Sequence, residues 1–506
     1  MSEFLDIKRS RSPIRAGRAI GTLILVTGAL VACADVGDRE GAERTAVADT
    51  GSTSEQGYAP SVTPSILGLA GYAKVMCSAV FVSGRDLDEA ARNSGYFMLA
   101  PSDRERVAGH EVDRERKSVT MRLEDGTART ARYYGDQGCV VHPVGYDGVF
   151  FQPREVSSSL PSADSLPWPM GDVTSDAPLP AGIDEEKLEA AVDTAFSDPE
   201  ALTAAFLVVH DGRIIAERYD LGADRDTQLE SWSMGKSLTA TLIGTLIQRG
   251  HLELDDPAPV PRWRVPGDPR GAIRISDLLR MSSGLEFSGT DSPEVLAGEV
   301  YPDHMLVYTG AIDVFDFSAS RPVEHPPGTV GRYRNSDPLT LGYVFQRTVR
   351  EEIGLSYFQA PQTLLFDRIG IREQVLEPDP YGNFLLTGYD YGTARNWARI
   401  GMLYLDDGVW QGERILPEGF VDFVSSPAPA WEEPIYGGQF WLNGTGEWNL
   451  PESAFYAAGG GNQKTFIVPS RDLVVVRMGH FRGDAASEPI LNDALALLME
   501  AIPPAD

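Results

Sequence analysis

Residues 230–256 read ESWSMGKSLTATLIGTLIQRGHLELDD, and within them Ser233 stands three residues before Lys236. On an α-helix, residues i and i+3 share a face, so this spacing holds the lysine amine beside the serine oxygen. A serine hydroxyl is a weak nucleophile until a neighbouring group takes its proton. Leu238, Leu242, Ile243, Leu246 and Ile247 follow at i, i+4 spacing, which predicts a buried helix that stops at Gly250. With Ser233 at its start, free backbone N–H groups would point toward developing negative charge.

The supply of lysine sharpens this reading. Of 44 basic residues only six are lysine (8, 74, 117, 187, 236 and 464), and the other 38 are arginine. Arginine keeps its proton near neutral pH, whereas lysine gives it up when desolvated or beside another cation. A lysine at 236 in an arginine-rich chain therefore suggests that a deprotonatable amine is needed.

Two further stretches carry residues of the same chemistry. PGTVGRYRNSDP (327–338) places Tyr333 and Asn335 after a Pro-Gly turn. Beside a protonated lysine a tyrosine pKa falls from about 10, so Tyr333 is expected to be lowered and to serve as base or proton relay with Lys236. Asn335 is expected to orient Lys236 and a substrate amide or carbonyl. FYAAGGGNQKTFIVP (455–469) sets three glycines before a strand. Glycine there lets backbone approach a ligand closely and offer an N–H, as the second donor of an oxyanion hole must.

Together the three stretches resemble the beta-lactamase and penicillin-binding-protein superfamily of serine hydrolases, with its SxxK, YxN and KTG boxes. The resemblance covers about residues 183–502. IRISDLLRMSSGLEF (273–287) and NWARIGMLYLDDGVWQGERILP (396–417) are similar to segments of its class C-related esterases, amidases and peptidases, and the chain most resembles the 6-aminohexanoate-dimer hydrolase type. The resemblance implies an α+β, beta-lactamase-like fold, an antiparallel sheet flanked by helices with an all-helical subdomain. It implies an acyl-enzyme on Ser233, proton transfer by Lys236 and Tyr333, and an oxyanion hole from the N–H groups of Ser233 and Gly460. Asn335 and Gly459 would contact substrate, and neither cofactor nor metal is required. At the third box this chain has Ala457-Ala458-Gly459, with no cation for a beta-lactam carboxylate. Lys464-Thr465-Phe466 begins like that box but lacks its glycine, so Lys464 reads as a strand-face lysine.

The remainder of the 506 residues fits an exported protein. Five basic residues precede AIGTLILVTGALVA (19–32), which is too short to span a bilayer core of about 30 Å and reads as a signal peptide over 1–32. The junction LVAC (30–33) resembles a bacterial lipobox, which implies lipidation of Cys33, a lipid anchor on the cell-envelope membrane and a periplasmic location. Residues 33–61 are polar and aperiodic and read as a disordered tether. Residues 62–156 are expected to form a small α+β module with a helix before Met76, a strand over 77–83 and a hairpin turning at Asp125-Gly126. Cys77 and Cys139 most simply pair there as a disulfide, the alternative being two buried thiols. A Pro/Ser-rich linker (157–182) leads to the hydrolase domain (183–506). Hairpins at both ends of that domain, at Asp211-Gly212 and at 465–479, predict one shared antiparallel sheet.

Other classes fit poorly. The net charge of -29, with no basic run outside the first twenty residues, argues against nucleic acid and favours a small, neutral or cationic substrate, which the resemblance narrows to a small amide or ester. There is no GxSxG elbow, and the seven histidines are scattered singly. Asp303-His304, between the first two boxes, reads as a loop pair without catalytic duty. A D,D-peptidase or beta-lactamase and a non-enzymatic binding protein on the same fold are the alternatives to an amidase or esterase.

Overall fold

A computed structural model describes residues 63–99, 101–290, 292–297 and 300–505; the expected signal peptide, the tether and Cys33 lie outside the described residues. Thr63 opens the first helix by accepting from the Ile66 amide, and Pro64 occupies the first turn, where its missing N–H costs nothing. The helix, α1, runs Pro64–Phe81. The strand expected over 77–83 is thus replaced by the last turn of α1. Leu67–Ala79 are buried on every side, and a helix without a polar face has no amphipathic period to distinguish it from a core strand.

Four antiparallel strands follow in sequential order: β1 (Val107–Asp113), β2 (Ser118–Leu123), β3 (Ala128–Tyr133) and β4 (Cys139–Val141). The turn between β2 and β3 is at Asp125-Gly126, with Gly126 at φ +85°. Its loop has three residues rather than two, since the Leu123 amide still donates to Thr127 O. Cys77 of α1 and Cys139 of β4 form a disulfide across a Cα separation of 5.9 Å. Val119, Met121, Ala131 and Val141 pack on α1, and the same apolar cluster continues without a break into the residues that follow 200. The Pro/Ser-rich connector is pinned to the surface of the larger part: the buried Arg399 guanidinium donates to Pro169 O, Gly171 O and Asp172.

The larger part begins with α2 (Glu185–Ala195), capped by Asp184, and the hairpin β5 (Thr203–His210) and β6 (Arg213–Tyr219). Asp211 and Gly212 both take positive φ, as a two-residue turn matched to strand twist requires. Next come α3 (Met234–Gln248), α4 (Asp303–Thr309), α5 (Ser336–Thr348) and α6 (Ala394–Leu405). Between residues 249 and 374 the described chain contributes helices and loops and no strand, which makes this the helical subdomain. The chain ends with β7 (Trp441–Leu442), β8 (Phe455–Gly459), β9 (Gln463–Val468), β10 (Leu473–Gly479) and α7 (Asp484–Ala501).

One six-stranded antiparallel sheet, in the order β7-β8-β9-β10-β5-β6, joins the two ends of this part. Its central strands are buried on both faces, and their side chains alternate between two cores. Ala205, Leu207 and Val209 of β5 face α3 and α6, while Phe206 and Val208 face α2 and α7 through Leu188, Val192, Leu491 and Leu498. The sheet flanked by helices is the expected architecture. Its consequence for the site is that the N-terminus of α3 is held against the β8 edge by packing on every side.

Candidate active site

Ser233 is the N-cap of α3 with its hydroxyl unused for capping, so the oxygen is free for other partners. Lys236 Nζ donates to Ser233 Oγ at 3.1 Å and to Thr387 O at 2.7 Å. The lysine is 2% exposed. Burial holds its pKa well below the ordinary lysine value, opposed only by the Asp390 carboxyl. The one-turn spacing of the sequence has therefore become a hydrogen bond between a hydroxyl and an amine poised to be neutral.

The chain reaches Ser233 through a strained turn. Trp232 sits at φ +50°, a left-handed conformation that costs a non-glycine residue about 1–2 kcal/mol. Before it, Ser231 donates through Oγ to the Asp390 carboxylate and through its amide to Asp390 O (3.0 Å). Asp390 itself follows a second left-handed residue, Tyr389 at φ +63°. Its carboxyl is completely buried and pushed up to about 7. An added Cβ at Gly235 would lie 2.5 Å from its Oδ1, so glycine at 235 gives the carboxyl its place.

Tyr333 stands on the other side of the amine, with Lys236 Nζ 4.9 Å from its ring centroid and its hydroxyl hydrogen-bonded with Ser233. The expected lowering of its pKa is not found. Burial raises it, and Lys236, itself pushed toward neutrality, supplies no cation to oppose that. Tyr333 is thus a proton donor at ordinary pH rather than a phenolate. Asn335 lies buried at the N-cap of α5, donating through Nδ2 to His304 O at 3.3 Å, while its Oδ1 has no hydrogen-bond partner.

Asp303-His304 is no loop pair. It opens α4, and the His304 ring stacks on Tyr333 at 5.6 Å and meets Phe287 edge-on at 5.0 Å. Burial, with Lys236 second, pushes His304 down to about 3, so it is a neutral wall of the site. Asp303 turns away to pair with Arg321 and accept from the Ser288 amide. Trp441, 5.4 Å from Tyr333, and Tyr308, whose hydroxyl shares Thr387 O with Lys236, complete the surroundings. Sequence reasoning missed Asp390 and Tyr308, since one buried carboxyl in GYDYG and one tyrosine in a short helix carry no spacing signal.

The glycine stretch runs along the same spot. β7 pairs β8 only at Phe455 and Tyr456, so the edge from Ala457 onward is free of a strand partner on that side. There a Cβ added at Gly459 would meet Ser231 O at 2.0 Å and Ser233 N at 3.0 Å, so only glycine lets the two backbones run this close. Gly460 begins the turn into β9. Lys464 of β9 lies on the opposite sheet face, its amine 5.5 Å from the Trp448 ring centroid, while its neighbour Thr465 reaches Met234. Among the described residues no three His, Cys, Asp or Glu side chains cluster as metal ligands would.

Several known proteins share parts of this sequence or fold. The 6-aminohexanoate-dimer hydrolase of Paenarthrobacter ureafaciens is 24% identical over 295 residues, covering 55% of this chain and 73% of its own. A penicillin-binding protein homologue from Caulobacter crescentus superposes with a TM-score of 0.47 at 17% identity, covering 63% of this chain and 99% of its own. EstCE1, a hydrolase with promiscuous acyltransferase activity, gives 0.49 at 16% identity, covering 62% and 98%. The Beta-lactamase family profile matches residues 188–500, and the chain belongs to that family.

Proposed function

We propose that this chain is a serine hydrolase that cleaves small linear amides or esters through an acyl-enzyme on Ser233. The observation that carries the reading is the 3.1 Å hydrogen bond between Ser233 Oγ and a buried lysine whose amine is driven toward its neutral form. In the first half-reaction neutral Lys236 takes the Ser233 proton as Oγ attacks the carbonyl carbon. The N–H groups of Ser233 and Gly460 hold the oxyanion, and protonated Tyr333 delivers a proton to the departing amine or alcohol. Lys236 then returns its proton to Tyr333, and in the second half a water gives its proton to neutral Lys236 as its oxygen attacks the acyl carbon; that proton passes to Ser233 Oγ as the acid departs.

The same reading takes the protein as exported and lipid-anchored through Cys33, a proposal that rests on the sequence of residues 1–33. Beta-lactam or D,D-peptide chemistry is the weaker reading. The third box offers no cation, and the nearest lysine in sequence, Lys464, lies across the sheet. Labelling with a fluorophosphonate, together with turnover of short esters, linear amides, D-Ala-D-Ala peptides and a beta-lactam, tests the proposal. Stoichiometric labelling of wild type and none of Ser233→Ala is expected, with turnover confined to esters or linear amides. Turnover by Ser233→Ala at the wild-type rate would refute it.

A further inference from the structure

The residues that place Ser233 are themselves held by a part of the chain that contains none of the site's reacting groups. Trp232 and Tyr389, the two left-handed residues, directly precede Ser233 and Asp390. Their rings meet at 5.3 Å, forming one aromatic unit beneath the site. Such conformations persist only where the surroundings over-determine them.

The segment 63–141 supplies much of those surroundings. Phe97 lies edge-on to Trp232 at 5.1 Å and stacks on Phe481 at 3.5 Å, and Phe481 meets Trp232 from a second side at 5.5 Å. Lys74 Nζ of α1 sits 4.3 Å from the Tyr389 ring centroid. The same amine forms a fully buried ion pair with Glu377, whose carboxylate also accepts from Ser78 and from the amide of Cys139. Glu377 in turn donates through its backbone amide to Tyr389 O at 3.1 Å. A third contact reaches α4, which carries His304 and Tyr308: a Cβ at Gly71 would lie 2.9 Å from Thr309 Cγ2, so α1 and α4 touch backbone to side chain. Three separate site-bearing segments therefore lean on one helix and its neighbouring loop.

We propose that the segment 63–141 is a built-in positioning element for the active site, with Phe97, acting through Trp232, and Lys74, acting through Tyr389, as its positioning residues. The inference rests on the acyl-enzyme reading above and adds to it a dependence of the chemical step on residues outside the hydrolase fold. Phe97 lies against Trp232 and Lys74 against Tyr389, each one residue before a residue of the site. Their effect is expected on the geometry of attack rather than on substrate affinity, because a small misplacement of reacting atoms costs far more rate than binding.

The test uses the full chain, a p-nitrophenyl ester and a fluorophosphonate probe. Phe97→Ala is expected to lower kcat and the labelling rate at least tenfold with KM within about threefold, and Phe97→Leu to recover much of the loss. The paired change Lys74→Met with Glu377→Gln, which leaves no lone buried charge, is expected to act in the same direction. Leu498→Ala, in the core across the sheet, serves as the control for general destabilisation and is expected to leave kcat within twofold well below its Tm. The proposal is overturned if folded Phe97→Ala turns over within twofold of wild type, or if Leu498→Ala reproduces its loss. It is also overturned if neither Phe97 variant folds, since Phe97 is then a core residue and no more. Failure of wild type itself to be labelled, with Ser233→Ala equally unlabelled, identifies failure of the underlying reaction instead and removes the step to be positioned.

Discussion

The six-stranded sheet separates two buried lysines that burial treats alike and chemistry does not. Lys464, on the face toward α2 and α7, is drawn down only to about 8, because Asp484, Glu447 and Glu488 offset part of the desolvation. Lys236, on the face toward α3 and α6, is opposed by a single carboxyl, Asp390, itself pushed up to about 7, and burial holds it well below the ordinary lysine value. Burial sets the direction of each shift, and the acids nearby oppose it. Few counter-charges are left beside Lys236, whereas Lys74, ion-paired with Glu377, shows the opposite use of the same residue type.

The largest effect expected from this contrast is on Lys236→Arg. Arginine keeps the charge but cannot release its proton, so kcat/KM for a model ester should fall by about 10³-fold or more. A variant within tenfold of wild type would erase the distinction between the two lysines. Next is the pH profile. Activity should rise about tenfold per pH unit while Lys236 sheds its proton and should level off well below the ordinary lysine value of about 10.4. A rate still climbing above pH 10 would mean that the amine is not depressed. Tyr333→Phe removes a proton donor and should cost about 10²-fold, chiefly in kcat; an effect on KM alone would make the tyrosine a wall rather than a relay.

Stability offers a smaller test on the module side of the site. Desolvation, with Glu377 second, pushes the Glu230 carboxyl up from 4.5 to about 8. A carboxyl raised in the folded state contributes stability that is full below its unfolded pKa and lost as pH rises through the folded one. Relative to Glu230→Gln, wild type should therefore lose on the order of a few kcal/mol between about pH 4.5 and pH 8. Parallel denaturation curves for the two proteins across that window would show that Glu230 ionises normally. Smallest of all is Lys464→Met, expected to leave ester turnover within about twofold, since the Lys464 amine lies across the sheet from Ser233.

What was legible in the sequence follows from how local each feature is. Ser233 and Lys236 lie one helical turn apart, so their spacing alone brings them together, and α3 stops where Gly250 takes φ +77°. The hairpins at Asp211-Gly212 and 465–479 announced themselves through turn residues and alternation, and they do share one sheet. Tyr333, Asn335 and the glycine edge could be proposed only as a set, by resemblance, since nothing in their own neighbourhoods distinguishes them. Three readings failed where long-range burial decided the outcome. The segment 77–83 looked like a strand because α1 is surrounded by core. Asp303-His304 looked like a loop pair because the partner of His304, Tyr333, is 29 residues away in sequence. Tyr333 was given a lowered pKa because a lysine was assumed to stay charged in a place where burial neutralises it.

The two ends of the hydrolase part meet. The Asp184 amide donates to Ala501 O at 2.9 Å, and Lys187 pairs with Glu500, so the chain enters and leaves this part at one doorway. Everything before residue 183 is attached there by a single covalent thread and contributes no strand to the six-stranded sheet. Yet the same segment is fastened a second time, without covalent bonds, beneath Trp232 and Tyr389. Genetic modularity and mechanical modularity therefore part company in this protein: the segment is simple to swap as sequence and hard to swap as machinery.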